Sequence, residues 1–182
     1  MPIIIATLLA GALAAALATA EVSRARPSTW AQPVIGTGLA NFHQVSPEVY
    51  RSTQPSAKDL KLLCEKLGVV KSVLTLRDLH DDTDEAEGLP LALYRVEMRA
   101  DDVEPALKIL ADAPKPVLIH RWHGSDRTRL VVAAWRITAQ GWAAAAVDEL
   151  EHGGFGHHFG WFPQITTWLR SGALKPAEKK KP

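Results

Sequence analysis

The chain has 182 residues, 47% hydrophobic and 23% charged, which suits one domain of ordinary size with a full core. A formal net charge of +1 supplies no global field, which argues against a nucleic-acid partner or attraction to a charged membrane surface. Cys64 is the one cysteine, so an intramolecular disulfide and a cysteine-based zinc cluster are excluded.

Residues 1–20 read as a signal peptide. Ile3 to Ala18 is an apolar run broken by Thr7 and Gly11, and Ala18-Thr19-Ala20 is a small-residue cleavage pattern ahead of Glu21. The run is short and alanine-rich for a membrane span, so the expectation is export to the periplasm or medium, with no stable span after cleavage; an N-terminal anchor is the alternative. Residues 21–40, rich in Pro, Ser and Gly, are expected to form an irregular lead-in. Residues 173–182 are expected to form a solvated basic tail, leaving 41–172 as the domain.

Within that domain strand and helix signals alternate. Phe42 to Ser52 reads as strand, turn at Ser46-Pro47, strand. Ser56 is an N-cap candidate followed by Leu60, Leu63 and Leu67 at helical spacing, with Gly68 as the stop; Cys64 falls here, as a small buried apolar residue. Val69 to Leu76 reads as a buried strand, Asp81 to Gly88 as an acidic loop and Leu91 to Val96 as another strand. A helix is expected over Asp102 to Leu110, with Pro105 in its first turn, then a short apolar strand over Pro116 to Ile119. Helices follow over Arg127–Ala139, Trp142–Glu151 and Pro163–Leu169, with Trp161 and Trp168 expected as core of the last. This alternation predicts an α/β layer structure.

The chemistry concentrates in Val117 to Thr128. A buried strand, a Gly-containing loop and a helix start make an anion cradle: loop N–H groups and the positive helix end face the anion, and an Arg at the helix start offers a bidentate fork. His120 to Thr128 resembles the phosphate-binding loop of the cysteine-dependent tyrosine/dual-specificity phosphatases, which runs His, Cys, five residues, Arg, then Ser or Thr. Further stretches are similar to a bacterial dual-specificity-like branch: Tyr50-Arg51-Ser52 with Gln54-Pro55-Ser56, Val73 to Asp78, and Gly153-Gly154-Phe155-Gly156. The likeness runs from about Asn41 to Trp168.

The resemblance implies a dual-specificity-phosphatase-like α/β fold. Its central sheet would be mostly parallel, of four to five strands flanked by helices, with the loop between the last strand and a helix. It implies that Trp122, His123, Gly124, Ser125, Asp126 and Arg127 bind phosphate, that His120 orients the loop, and that Thr128 supplies the following hydroxyl. Asp101 and Asp102 are the general-acid candidates, although Asp101 with Glu104 also reads as a capping box. Two positions depart from the family pattern: Arg121 stands where the family has its nucleophilic Cys, and Arg129 where Gly is usual. A guanidinium with a pKa above ~12 has no lone pair for attack on phosphorus. The expectation is therefore a pseudophosphatase that binds phosphate or a phosphorylated ligand. The alternatives are an active phosphomonoester hydrolase whose natural chain differs at 121 and 129, and a non-enzymatic scaffold. No cofactor or metal is expected; His157-His158 has no third ligand at useful spacing.

Overall fold

The computed structural model describes residues 25–98, 102–156 and 163–175. The signal-peptide reading, Asp101, His157, His158 and Trp161 lie outside them. Among the described residues no helix is long and apolar enough to cross a membrane.

One sheet organises the chain. Its strands are β1 (Gln32–Pro33), β2 (His43–Ser46), β3 (Val49–Ser52), β4 (Ser72–Thr75), β5 (Ala92–Arg95) and β6 (Val117–His120). The spatial order is β1-β2-β3-β6-β4-β5. β1 to β3 form an antiparallel meander, and the pairings β3–β6, β6–β4 and β4–β5 are parallel. The sheet therefore has six strands rather than the four to five expected. The extra one is β1, whose Gln-Pro sequence carries no strand pattern and which forms because its neighbour β2 offers an edge.

Helices α1 (Ala57–Lys61), α2 (Glu104–Asp112), α3 (Asp126–Gln140), α4 (Ala143–His152) and α5 (Pro163–Arg170) complete the fold. Alternation along the central strands divides the core. Leu74, Val117 and Ile119 point to the larger apolar layer under α2 to α5, while Val73 and Leu118 point to a smaller one with Leu60 and Leu63. Trp168 packs against the larger layer, half-buried.

Local signals explain the elements that position the site. Ser46 Oγ accepts from the amides of Glu48 and Val49 (3.1 Å each) and makes the β2–β3 turn. Ser56 and Asp59 form a reciprocal capping box at the start of α1. After Lys61 the helix widens into a π-helical turn over Leu62–Lys66, which leaves Cys64 half-buried rather than in the core. The N-cap of α2 is Val103, with no side-chain cap, so the expected Asp101–Glu104 box is out of register with the helix start. The stretch before β2 is packed down: Trp30 and Ala31 are buried, and the Ala31 amide donates to Glu149 Oε1 (2.6 Å).

Candidate functional site

The parallel register sets the site. Ser52, His120 and Thr75 are partners across β3, β6 and β4, so the loops leaving these strands emerge side by side at the carboxyl end of the sheet. In parallel α/β sheets this is where ligands bind. The loop over 121–125 joins β6 to α3, and Arg121, His123, Gly124 and Ser125 line a small open depression with Asp126 and Arg127.

The loop is held from behind by its carbonyl groups. The Gln54 amide donates to Trp122 O (3.2 Å), and Arg51 Nη2 donates to Gly124 O. Asn41 Nδ2 reaches His123 O (3.2 Å), Gly124 O (3.1 Å) and Phe155 O (3.2 Å). With these carbonyl oxygens engaged on the sheet side, the loop can turn N–H groups toward the depression, aided by the helix end. The Gly124 amide departs from expectation, since it donates to Arg121 O (3.2 Å) within the loop. Gly124 has φ +62°, and a Cβ there would lie 2.2 Å from Ser52 O.

His120 is fully buried, and its Nε2 lies 2.8 Å from Asp82 Oδ2. An ionised carboxylate only accepts, so Nε2 carries the proton. Gln54 Nε2 donates to Asp82 Oδ1 (2.8 Å). Burial opposes ionisation of Asp82, but the hydrogen bond and charge of His120 and the Gln54 bond outweigh it, and the carboxyl sits below its usual range. His80, Asp82 and Glu85 place one potential metal-ligating atom each within 4.8 Å of one another. Asp82 Oδ1 accepts from Gln54 and Oδ2 from His120, which ties this carboxylate to the base of the loop.

Around the depression the charges are mostly cationic. Arg121 Nη2 and Arg127 Nη1 each lie 3.9 Å from the same oxygen, Asp78 Oδ2. Arg121 Nε also donates to Leu76 O (3.3 Å). Burial lowers the Arg121 pKa, Arg127 adds to that, and Asp78 opposes it. Arg77 stacks over the exposed Trp122 ring at 4.5 Å, which places Trp122 at the rim rather than in the core. Ser125 is buried with its hydroxyl 3.4 Å from His123 O. Thr128 is fully buried and its Oγ1 has no hydrogen-bond partner among the described residues.

Not every candidate gathers here. Asp102 is exposed ahead of α2 and, among the described residues, makes no hydrogen bond or ion pair to the loop. Arg129 is turned inward, buried with Arg51, Glu149 and Phe155. Asp82, Asp78, Gln54, Asn41 and Arg51 all support the site. Asp82 sits in the stretch expected as an acidic loop, while Arg51, Gln54 and Asp78 fall in the stretches that carry the family resemblance.

A strand–loop–helix turn at the carboxyl end of the parallel strands defines an α/β protein with a candidate oxyanion cradle. No family model matches the chain. It is 37% identical over 148 residues to the dual specificity protein phosphatase TpbA of Pseudomonas aeruginosa strain PAO1, covering 77% of this chain and 66% of that protein, just under two thirds of its length. The crystal structure of P. aeruginosa TpbA matches with a TM-score of 0.71 at 32% identity, over 82% of this chain and 94% of that one. A Cys-to-Ser variant of TpbA in complex with phosphotyrosine matches equally, at TM-score 0.71. The core catalytic domain of the S. cerevisiae PP-IP phosphatase SIW14, in complex with citrate, shares the fold at TM-score 0.59 and 24% identity, over 75% of this chain and 89% of that one. The chain belongs to the cysteine-dependent tyrosine/dual-specificity phosphatase superfamily.

Proposed function

We propose that this chain is a pseudophosphatase: it binds phosphate or a phosphorylated ligand in the 120–128 loop and does not turn it over. The observation that carries the reading is Arg121. In the family's reaction a thiolate at this point attacks phosphorus, forms a phosphocysteine and releases the alcohol; water then cleaves the intermediate. A guanidinium has no electron pair for the first step. Here it lies instead against Asp78 and the Leu76 carbonyl. Cys64 sits in the π-helical turn after α1, on another element, and does not replace the missing thiol.

What remains suits binding. Arg127 opens α3 and faces the depression, with the loop amides and helix end beside it. His120, fixed by Asp82, holds the loop's entry. The unpartnered Thr128 hydroxyl is a donor left without the thiolate it would otherwise serve. The phosphotyrosine complex of the TpbA variant supports a phosphate-bearing ligand as the class. Asp101 and Asp102 remain the general-acid candidates for the ancestral reaction. By the same reading the chain is exported through residues 1–20, and N-terminal sequencing of secreted protein should find Glu21 or a neighbour first.

The test is a four-variant assay with p-nitrophenyl phosphate and a chelator present: wild type, Arg121→Cys, Arg129→Gly and the double variant. Loss of a covalent nucleophile costs on the order of 10⁴–10⁶ in kcat in hydrolases. Wild type should stay at background, Arg121→Cys should recover activity, and Arg129→Gly should add to it non-additively. Wild-type turnover equal to that of the double variant would reject the reading.

A further inference from the structure

Two guanidinium groups in one cradle repel each other, and Asp78 shows how this chain offsets that. One carboxylate oxygen, Oδ2, is 3.9 Å from both Arg121 Nη2 and Arg127 Nη1. Asp78 reaches this place because it lies three residues beyond β4, the strand beside β6, so the exits of both strands share one corner. Arg121 is anchored to the same exit through Leu76 O. The other oxygen, Asp78 Oδ1, has no hydrogen-bond partner among the described residues.

We propose that Asp78 is the resident anion of the cradle: its carboxylate bridges Arg121 and Arg127 where a ligand's oxyanion would bind, and ligand must displace it. This rests on the oxyanion-binding reading of the loop. The geometry favours displacement over permanent closure. The contacts are long, and Asp78 is 40% exposed against 33% for Arg121 and 29% for Arg127, so each pair is weak and solvent-screened. A phosphate dianion brings more charge and more acceptor oxygens than one carboxylate, and the fork of Arg127 fits it in bidentate fashion. The consequence is a threshold: weakly charged anions lose the competition with Asp78, and divalent oxyanions win it.

Calorimetry on the full chain with inorganic phosphate, sulfate and tungstate tests this. Asp78→Asn should tighten binding about three- to tenfold, the range for two partly exposed ion pairs. Asp81→Asn, which removes the same charge from an exposed residue that pairs with neither arginine, should change it less than twofold. Equal effects of the two, or weaker binding by Asp78→Asn, overturn the proposal. If that happens while Arg127→Ala abolishes binding, the oxyanion reading stands and Asp78 alone is wrong. If no anion binds wild type or Asp78→Asn, the oxyanion reading fails and displacement fails with it. A ligand-free thermal-stability cycle of Asp78→Asn with Arg121→Met reads the bridge separately: coupling supports it, additivity rejects it.

Discussion

Gly124 occupies a point where no side chain fits. Its φ is +62°, and a Cβ would lie 2.2 Å from Ser52 O and 2.8 Å from Thr53 N, both backbone atoms that cannot swing away. Gly124→Ala should therefore destabilise the fold by roughly 2–5 kcal/mol, combining left-handed backbone strain with overpacking. Chemical denaturation measures it; a change below 1 kcal/mol would mean that the loop relaxes freely. Thr128 presents the opposite case. Its hydroxyl is buried without a partner, so Thr128→Val should leave stability unchanged or raise it by up to about 1 kcal/mol, as a melting curve would show. The glycine and the threonine were legible as members of a motif. The roles of Asp78 and Asp82 were not, because a carboxylate looks solvated until tertiary structure places an arginine or a histidine beside it.

At the scale of elements, the loop between β6 and α3 depends on segments far from it in sequence. Asn41, Arg51 and Gln54 hold its carbonyls, while Asp82 holds His120 at its base. The Asp82–His120 pair predicts a pH signature. The folded carboxyl titrates below its unfolded value, so its contribution is present in full above about pH 4 and fades as pH falls further through the lowered folded value. Asp82→Asn should cost about 1.5–3 kcal/mol at neutral pH, the worth of a hydrogen bond to a charged group. Its stability should also fall less steeply than that of wild type below pH 4 in acid titration. The strand–loop–helix run and the Ser56 cap could be read from sequence because each is local. β1 and the π-helical turn could not: β1 exists through its neighbour, and the turn departs from the 3.6-residue pattern that Leu60, Leu63 and Leu67 suggest.

Across the whole molecule, one buried carboxylate joins three regions. Glu149 of α4 pairs with Arg136 of α3 (2.5 Å) and accepts from the Ala31 amide, tying down the segment ahead of the sheet. Arg51, Arg129 and Arg136 are all buried in this part of the fold, so cations outnumber Glu149 there. Burial, then the neighbouring Arg129, lowers the Arg51 pKa to about 9 despite Glu149. Glu149→Gln should cost about 3–5 kcal/mol, the penalty for stranding buried charge, and lower Tm by roughly 6–20 °C. Limited proteolysis should then open the chain near the exposed Ile35 first. Arg129→Met should act the other way. Burial lowers the Arg129 pKa to about 10, so its charged form costs stability at neutral pH, a cost relieved only as pH climbs past that value. Asp126, Glu151 and Glu149 offset part of that cost, so Arg129→Met should stabilise the fold by no more than about 1 kcal/mol, read by thermal melting.

The central position of β6 has a consequence for amide hydrogen exchange. With β3 on one side and β4 on the other, its amides are shielded along both edges, and Val117 to His120 are all buried. They should exchange only through global unfolding, among the slowest in the chain. From residue 121 the backbone leaves the sheet, and protection should fall within one or two peptides. Adding phosphate should then slow exchange over 121–126 while 117–120 shift only with overall stability. The strand and the loop it carries thus supply an internal reference and a reporter on adjacent residues, and occupancy of the site becomes measurable without turnover.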